Sequence, residues 1–127
     1  MGGGNVKRMK RILIVEDVEV NRDLLVQLLE EEYTLFLAVD GAEGLAAAAR
    51  DRPDLILMDL SLPVLDGWEA IRRLKSDAAL APIPVIALTA HAMSGDEERA
   101  RAAGCDDFLI KPIDEDLLFT TLNCWLS

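Results

Sequence analysis

The residues of this sequence that could do chemistry follow short apolar runs. Glu16 and Asp17 come directly after the first run, and Asp59 comes after the third. Thr89 follows the fourth run, and Lys111 follows the fifth. Carboxylates bind hard divalent cations, while an ammonium and a hydroxyl can hold phosphate oxygens. These residue types indicate phosphate chemistry at a cation site, provided that the fold brings them to one place.

The apolar runs have the length of β-strands. Each spans only three to five residues and is bounded by charged residues, Pro or Gly, whereas a buried helix needs a longer run. Several runs are continuous rather than alternating, which is typical of strands that are covered on both faces. The runs are Ile12–Val15, Leu35–Val39, Leu55–Met58, Val85–Leu88 and Phe108–Ile110.

The stretches between these runs have the spacing of apolar residues that is typical of helices. Side chains able to cap a helix stand at Asp40, Asp66, Ser94 and Asp114, the first three each three residues before a Glu. Gly104 can adopt the backbone conformation that ends a helix before the fifth strand. The last helix is expected to bury three leucines, Leu117, Leu118 and Leu122.

A strand followed by a helix, repeated five times, predicts an α/β fold. Each pair of parallel strands needs a right-handed crossover, which places helices on both faces of the sheet. The prediction is a doubly wound, five-stranded parallel sheet of the (βα)5 type. Ligands of such sheets bind beyond the carboxyl ends of the strands, so all the residues named at the outset lie at the binding edge.

Three carboxylates at the ends of neighbouring strands need a positive partner. Neighbouring strands lie about 5 Å apart, and like charges about 4 Å apart repel by roughly 4 kcal/mol at an effective dielectric near 20. Oxygen donors without a His or Cys cluster favour Mg²⁺, and Lys111 supplies a second cation. Singly, each residue is more often a surface charge or a helix cap, and Asp17 could cap the first helix. The prediction rests on four strands delivering complementary groups to one edge.

Composition limits the partners and the location of the chain. Its 127 residues predict one domain, with residues 1–10 as a flexible leader and 11–127 as the folded part. A net charge of -10 would repel nucleic acid and anionic membranes. The sequence has neither a secretory pattern nor an apolar run near the roughly 20 residues that span a bilayer. Cys105 and Cys124 lack metal or disulfide spacing, so both are expected to be reduced and packed as small apolar side chains in a cytoplasmic protein.

Taken together, the motifs resemble the receiver domains of two-component response regulators, the CheY-like family with a flavodoxin-like fold. The resemblance runs from Arg11 to about Leu126 and is most similar to single-domain regulators and to receivers of hybrid histidine kinases. The motifs that carry it are Ile14-Val15-Glu16-Asp17, Leu57-Met58-Asp59, Leu62-Pro63-Val64-Leu65-Asp66-Gly67, Leu88-Thr89-Ala90 and Lys111-Pro112.

The resemblance implies a role for each residue of the predicted site. It makes Asp59 the phosphoacceptor, with Asp17, Asp59 and the backbone carbonyl of Ser61 as direct Mg²⁺ ligands. Glu16 would act on the cation largely through water. Thr89 and Lys111 would hold the phosphoryl oxygens during transfer, which depends chiefly on positioning and charge neutralisation.

The resemblance also implies a signalling switch rather than a conventional enzyme. Thr89 would move toward the phosphoryl group, and Phe108 would turn inward and alter a face made of the fourth helix, fifth strand and fifth helix. Phe108 lacks the hydroxyl of a tyrosine, and Pro112 would follow a cis peptide. The implied partners are a sensor histidine kinase or a histidine phosphotransfer protein, and a downstream protein. The expected state is a monomer or a weak phosphorylation-dependent dimer, without a DNA-binding domain after Ser127.

Three other classes of protein fit the sequence less well. Haloacid-dehalogenase phosphatases need a second Asp at the position of Ser61. Flavodoxin-like electron carriers have a Ser-, Thr- and Gly-rich phosphate loop, whereas Glu16-Asp17-Val18 would repel a flavin phosphate. A pseudo-receiver that binds partners without phosphorylation is disfavoured because every residue type of the acceptor site is present.

Overall fold

Strands and helices alternate along the chain, as the apolar runs predict. The computed structural model describes residues 9–60, 62, 65–90 and 96–126. The strands are β1 (Arg11–Val15), β2 (Thr34–Ala38), β3 (Leu55–Asp59), β4 (Val85–Thr89) and β5 (Asp107–Ile110). The helices are α1 (Glu19–Leu29), α2 (Gly41–Asp51), α3 (Gly67–Ser76), α4 (Asp96–Ala103) and α5 (Glu115–Leu126). None of the helices in this described part has the length and apolar character needed to cross a membrane.

The five strands form one parallel sheet in the order β2-β1-β3-β4-β5. The strand order reverses at β1, which lies between β2 and β3. The register aligns the carboxyl ends, because Val15 pairs with Met58, Asp59 with Leu88, and Thr89 with Ile110. The predicted doubly wound fold is confirmed, and residues that follow these strands emerge at one edge.

The sheet separates two apolar cores. The central strands β1, β3 and β4 are buried on both faces, which is why their sequences lack an alternating pattern. Helices α2, α3 and α4 contribute to one core, and α1 and α5 contribute to the other. The pleat assigns Leu13 and Met58 to the first core and Ile14 and Leu57 to the second.

Predicted caps start three of the helices. The carboxylates of Asp40, Asp66 and Asp114 accept hydrogen bonds from backbone amides three residues later, at 2.7, 2.9 and 2.9 Å. Gly104 has a φ of 109°, a conformation that favours glycine, directly after α4. The predicted cap Ser94 lies outside the described residues.

Two expectations about α5 and its surroundings were wrong. Leu117 is 53% exposed, whereas Leu118 and Leu122 are fully buried. Consecutive helical residues are about 100° apart around the axis, so Leu117 and Leu118 point in different directions and only Leu118 faces the core. Cys124 is exposed for the same reason, because it follows Leu122 by two positions; Cys105 is buried as expected.

The two cysteines are predicted to differ strongly in reactivity. Burial, together with the neighbouring carboxylate of Asp106, raises the pKa of Cys105 to about 11, so its thiolate is scarce at neutral pH. A disulfide reagent at pH 8 is expected to modify Cys124 quickly and Cys105 only after unfolding. Cys124→Ser should remove the fast phase; a fast phase that persists in this variant would contradict the assignment.

Lys75, at the end of α3, connects this helix by hydrogen bonds to the α3–β4 loop and to the turn before β5. Its Nζ donates to the carbonyls of Ala81 and Ile83 at 3.0 and 2.9 Å and to the carboxylate of Asp106 at 2.7 Å. The same Asp106 oxygen accepts from the amide of Val85, which opens β4. The α3–β4 loop and the turn before β5 are therefore held by one ammonium group.

Replacing Lys75 by Met is expected to lower the free energy of unfolding by about 2 kcal/mol. Methionine keeps most of the apolar stem but leaves two half-buried carbonyls and the carboxylate of Asp106 without their charged donor. Urea denaturation measures the loss. Arg72→Met removes a charge from an exposed position of the same helix and should change stability by less than about 0.5 kcal/mol; equal losses in the two variants would contradict the prediction.

Candidate metal and phosphate site

Four strands deliver polar side chains to the carboxyl edge of the sheet. Glu16 follows β1, and its amide donates to the carbonyl of Ala38 at 3.0 Å. Asp59 is the last residue of β3, and Thr89 is the last residue of β4. Lys111 follows β5, and its amide donates to the carbonyl of Thr89 at 2.7 Å. The edge that the sequence predicts as a binding site therefore contains these side chains.

Three carboxylates at this edge could bind one cation together. One oxygen from each of Glu16, Asp17 and Asp59 lies within 4.8 Å of the others. Glu16 is fully buried and Asp59 is 4% exposed, whereas Asp17 is exposed. A set of hard oxygen donors that is partly open to water suits Mg²⁺, which retains several water ligands. The residues present therefore fit the cation that the sequence indicates.

Lys111 bridges the two buried carboxylates. Its Nζ lies 2.6 Å from Glu16 Oε1 and 3.2 Å from Asp59 Oδ2, and its side chain is 19% exposed. The other oxygen of Glu16 accepts a hydrogen bond from the amide of Val18 at 3.2 Å. Both oxygens of Glu16 are thus engaged by the protein, and the ammonium of Lys111 contacts two of the three carboxylates.

Burial and the neighbouring charges shift the pKa values of Glu16 and Lys111. Burial raises the pKa of Glu16, and the nearby Asp59 raises it further, against the opposing effect of Lys111. Burial by itself would lower the pKa of Lys111, but the hydrogen bond to Glu16 and the two neighbouring carboxylates outweigh it and raise that pKa. A divalent cation would relieve the repulsion that remains.

The raised pKa of Glu16 predicts a decline of stability with pH in EDTA. The folded state holds the proton of Glu16 more tightly than the unfolded state, whose pKa is near 4.5. The stabilisation that protonated Glu16 contributes is therefore complete below the pKa of the unfolded state. It is lost as the pH rises through the higher pKa of Glu16 in the folded state. Urea denaturation at a series of pH values should show a flatter profile for Glu16→Gln than for the wild type. Parallel profiles would contradict the shift.

The remaining predicted residues lie as follows. Thr89 is 5% exposed at the same edge as Asp59. Phe108 lies on β5, paired with Ala87 of β4, and packs half-buried against the core formed by α2, α3 and α4. The peptide between Lys111 and Pro112 is cis, as the resemblance implied. Ser61 lies outside the described residues.

The sequence did not reveal Arg22 as part of this site. Its Nη1 donates to the backbone carbonyl of Glu16 at 3.0 Å and more weakly to that of Asp17 at 3.5 Å. Its position in the second turn of α1 is one where an arginine usually faces solvent, so no sequence signal separates it from a surface charge. The contact depends on how the chain turns between β1 and α1.

An apolar surface adjoins the site. Val20 and Leu24 on α1 are 75% and 49% exposed. Leu24 also lines a groove between α1 and the segment after β5, with Lys111, Pro112 and Ile113 on the other side. We call Val20, Leu24, Pro112 and Ile113 the α1 surface. This surface adjoins the charged pocket at Glu16 and Lys111, which line the same groove.

Comparisons with known proteins agree with the geometry. The family model described as "Response regulator receiver domain" matches residues 12–123. The chain is 45% identical over 119 residues to the polar-differentiation response regulator DivK of Brucella anthropi, which covers 93% of this chain and 97% of that protein.

Two solved structures are informative about the site. The receiver domain of the sensor histidine kinase PA1611 from Pseudomonas aeruginosa, with a magnesium ion in its active-site cleft, matches with a TM-score of 0.86 and 39% identity over 93% of this chain and 98% of that one. The second is a co-crystal structure of the histidine phosphotransfer protein Ypd1 of Saccharomyces cerevisiae with the receiver domain of its downstream response regulator Ssk1. It matches with a TM-score of 0.84 and 31% identity, covering 95% of this chain and 91% of that one.

Proposed function

The chain belongs to the response-regulator receiver domain family, and from this premise we propose that it accepts a phosphoryl group on Asp59 and acts as a signalling switch. The observation that carries the proposal is the position of Asp59, buried at the end of β3 beside Lys111 and two further carboxylates. A carboxylate in a pocket that binds cations can react with a phosphoryl group, because the cations neutralise the negative charge of the phosphoryl oxygens.

The proposed reaction moves the phosphoryl group from nitrogen to oxygen. A carboxylate oxygen of Asp59 attacks the phosphorus of a phosphohistidine, the bond from phosphorus to the donor's imidazole breaks, and an acyl phosphate forms. Water later cleaves that acyl phosphate. Lys111 and Thr89 are proposed to hold phosphoryl oxygens, so Lys111 exchanges part of its contact with Glu16 and Asp59 for the incoming group.

The cation is proposed to be Mg²⁺, held by Asp17, Asp59 and the carbonyl of Ser61. Glu16 is left as an indirect ligand, because Lys111 and the amide of Val18 already engage its two oxygens. When bound, Mg²⁺ supplies charge neutralisation for the carboxylates and for the phosphoryl oxygens. The magnesium ion in the active-site cleft of the PA1611 receiver supports Mg²⁺ as the cation.

The proposed output is a change in binding to a downstream protein. Thr89 and Phe108 lie on neighbouring strands, so a movement of Thr89 toward the site can be followed by Phe108. The face made of α4, β5 and α5 carries exposed apolar side chains at Ile110, Leu117 and Trp125. The protein is thus proposed to act in the cytoplasm as a switch and to catalyse only its own phosphorylation and dephosphorylation.

The phosphoryl donor is proposed to be a histidine kinase or a histidine phosphotransfer protein that covers the α1 surface. A donor must bring its imidazole to Asp59, and the apolar side chains of the α1 surface lie beside the pocket that contains Glu16 and Lys111. The crystallised pair of Ypd1 and the Ssk1 receiver supports a donor of the phosphotransfer class.

Incubation with acetyl phosphate tests the proposal directly. Intact mass spectrometry should show the addition of one phosphoryl group in Mg²⁺ and none in EDTA. A known receiver treated in parallel confirms that the conditions suffice. An unchanged mass, with the control phosphorylated, would count against the function. Profiling against the histidine kinases and phosphotransfer proteins of the source organism would then identify the donor.

A further inference from the structure

Arg22 fixes the backbone of the loop that carries two of the three carboxylates. It lies half-buried on α1, and its Nη1 reaches the carbonyl of Glu16 at 3.0 Å and that of Asp17 at 3.5 Å. Both carbonyls belong to the turn between β1 and α1. A guanidinium can donate to neighbouring acceptors from one rigid plane, so it limits rotation of both peptide groups.

The other hydrogen bonds of this turn within the described residues involve Glu16 and Val18. The N-cap of α1 is Val18, which has no side-chain hydrogen bond to the first turn. The amide of Val18 instead donates to the carboxylate of Glu16. Asp17 is exposed, so packing does not fix its side chain. The direction in which Asp17 points therefore depends largely on the orientation of the two peptides that Arg22 contacts.

We infer that Arg22 is a positioning residue for divalent-cation binding, because it orients the backbone from which Asp17 reaches toward Asp59. The inference deepens the proposed function and rests on it. Arg22 does not touch the phosphoryl group or the cation. It holds the peptide groups on either side of Asp17 so that the carboxylate is already aimed at the pocket before the cation arrives.

Charge and positioning predict opposite effects of removing Arg22. A guanidinium near a cation site repels the cation, so loss of its charge alone would strengthen binding. Loss of a preorganised ligand would weaken binding, since the cation must then order the turn itself. The sign of the change in affinity thus separates the two roles without any measurement of phosphorylation.

Isothermal titration of the whole chain with Mg²⁺, in the absence of phosphoryl donor, tests the inference. Arg22→Met is expected to weaken binding by about five-fold, because the cation must then order a turn that Arg22 already orders in the wild type. Arg22→Lys keeps a charged donor but loses the rigid planar guanidinium, so it should bind Mg²⁺ more weakly than the wild type and more tightly than Arg22→Met. Arg50→Met, which removes an exposed arginine from α2, should bind like the wild type.

Each outcome has a distinct meaning. Equal or tighter binding by Arg22→Met would overturn the role of Arg22 while leaving the proposed function in place. Absence of Mg²⁺ binding by the wild type would overturn the proposed function and the inference with it. Urea denaturation in EDTA shows whether each variant is folded. If Arg22→Met is unfolded, the test rests on Arg22→Lys, and Mg²⁺ binding by this variant that is as tight as that of the wild type, or tighter, overturns the inference.

Discussion

Replacing Asp59 by Asn is expected to abolish phosphorylation by acetyl phosphate or by a histidine donor. The amide of Asn is not a nucleophile toward phosphorus, and the two other carboxylates of the described site are less suited to the reaction. Asp17 is exposed, and Glu16 has both oxygens engaged. Intact mass spectrometry in Mg²⁺ should therefore show complete loss of the phosphorylated species.

A matched acidic replacement provides the control for this prediction. Asp116→Asn changes an exposed carboxylate of α5 by the same chemistry and should be phosphorylated as the wild type is. Mapping of the modified peptide in the wild type would add a direct assignment of the acceptor. If Asp59→Asn still gained a phosphoryl group under these conditions, the acceptor would have to be another residue.

Replacing Lys111 by Met should lower the free energy of unfolding by about 3 kcal/mol in EDTA at neutral pH. The change leaves the buried carboxylates of Glu16 and Asp59 without their ammonium partner, and breaking a buried ion pair from one side is costly. Protonation of Glu16 limits the cost, since its pKa is already raised. Urea denaturation at pH 7 and at pH 5 measures both effects, and the loss should be smaller at pH 5.

Mg²⁺ should restore part of the stability lost in Lys111→Met, because a cation replaces the missing charge by mass action. The rate of phosphorylation should nevertheless fall by about a hundred-fold or more, because the variant lacks the ammonium that stabilises the charge developing on the phosphoryl oxygens. Lys10→Met removes an exposed lysine before β1 and should leave both properties unchanged. A stability unchanged in Lys111→Met would mean that the bridge contributes nothing to the fold.

The strands and the starts of several helices follow from the sequence pattern. Continuous apolar runs predict strands covered on both faces. The strands β1, β3 and β4 fit this prediction, whereas the equally apolar run Leu35–Val39 forms the partly exposed edge strand β2. Asp40, Asp66 and Asp114 mark helix starts, because their carboxylates satisfy amides within three residues. Such local and periodic relations do not require coordinates.

The location of Asp59, Thr89 and Lys111 at one edge also follows from the sequence. In a parallel sheet every strand points the same way, so residues that follow strands meet at the carboxyl ends. The number of strands and the alternation with helices then suffice to predict a shared site, and the structure brings Asp59 and Lys111 within 3.2 Å. The chemistry of these residue types indicated a cation and a phosphate.

Only the tertiary structure decided which contacts these side chains make. Lys111 lies nearer to Glu16 than to Asp59, and Arg22 turns back onto the loop before its own helix. Leu117 faces solvent although Leu118 does not. Pattern fixes the edge of the sheet at which a residue lies, but the face of a helix that packs depends on its rotation, and hydrogen-bonded partners depend on differences of about 1 Å. Those differences are set by strand twist, helix rotation and rotamer choice, which arise from packing of the whole domain.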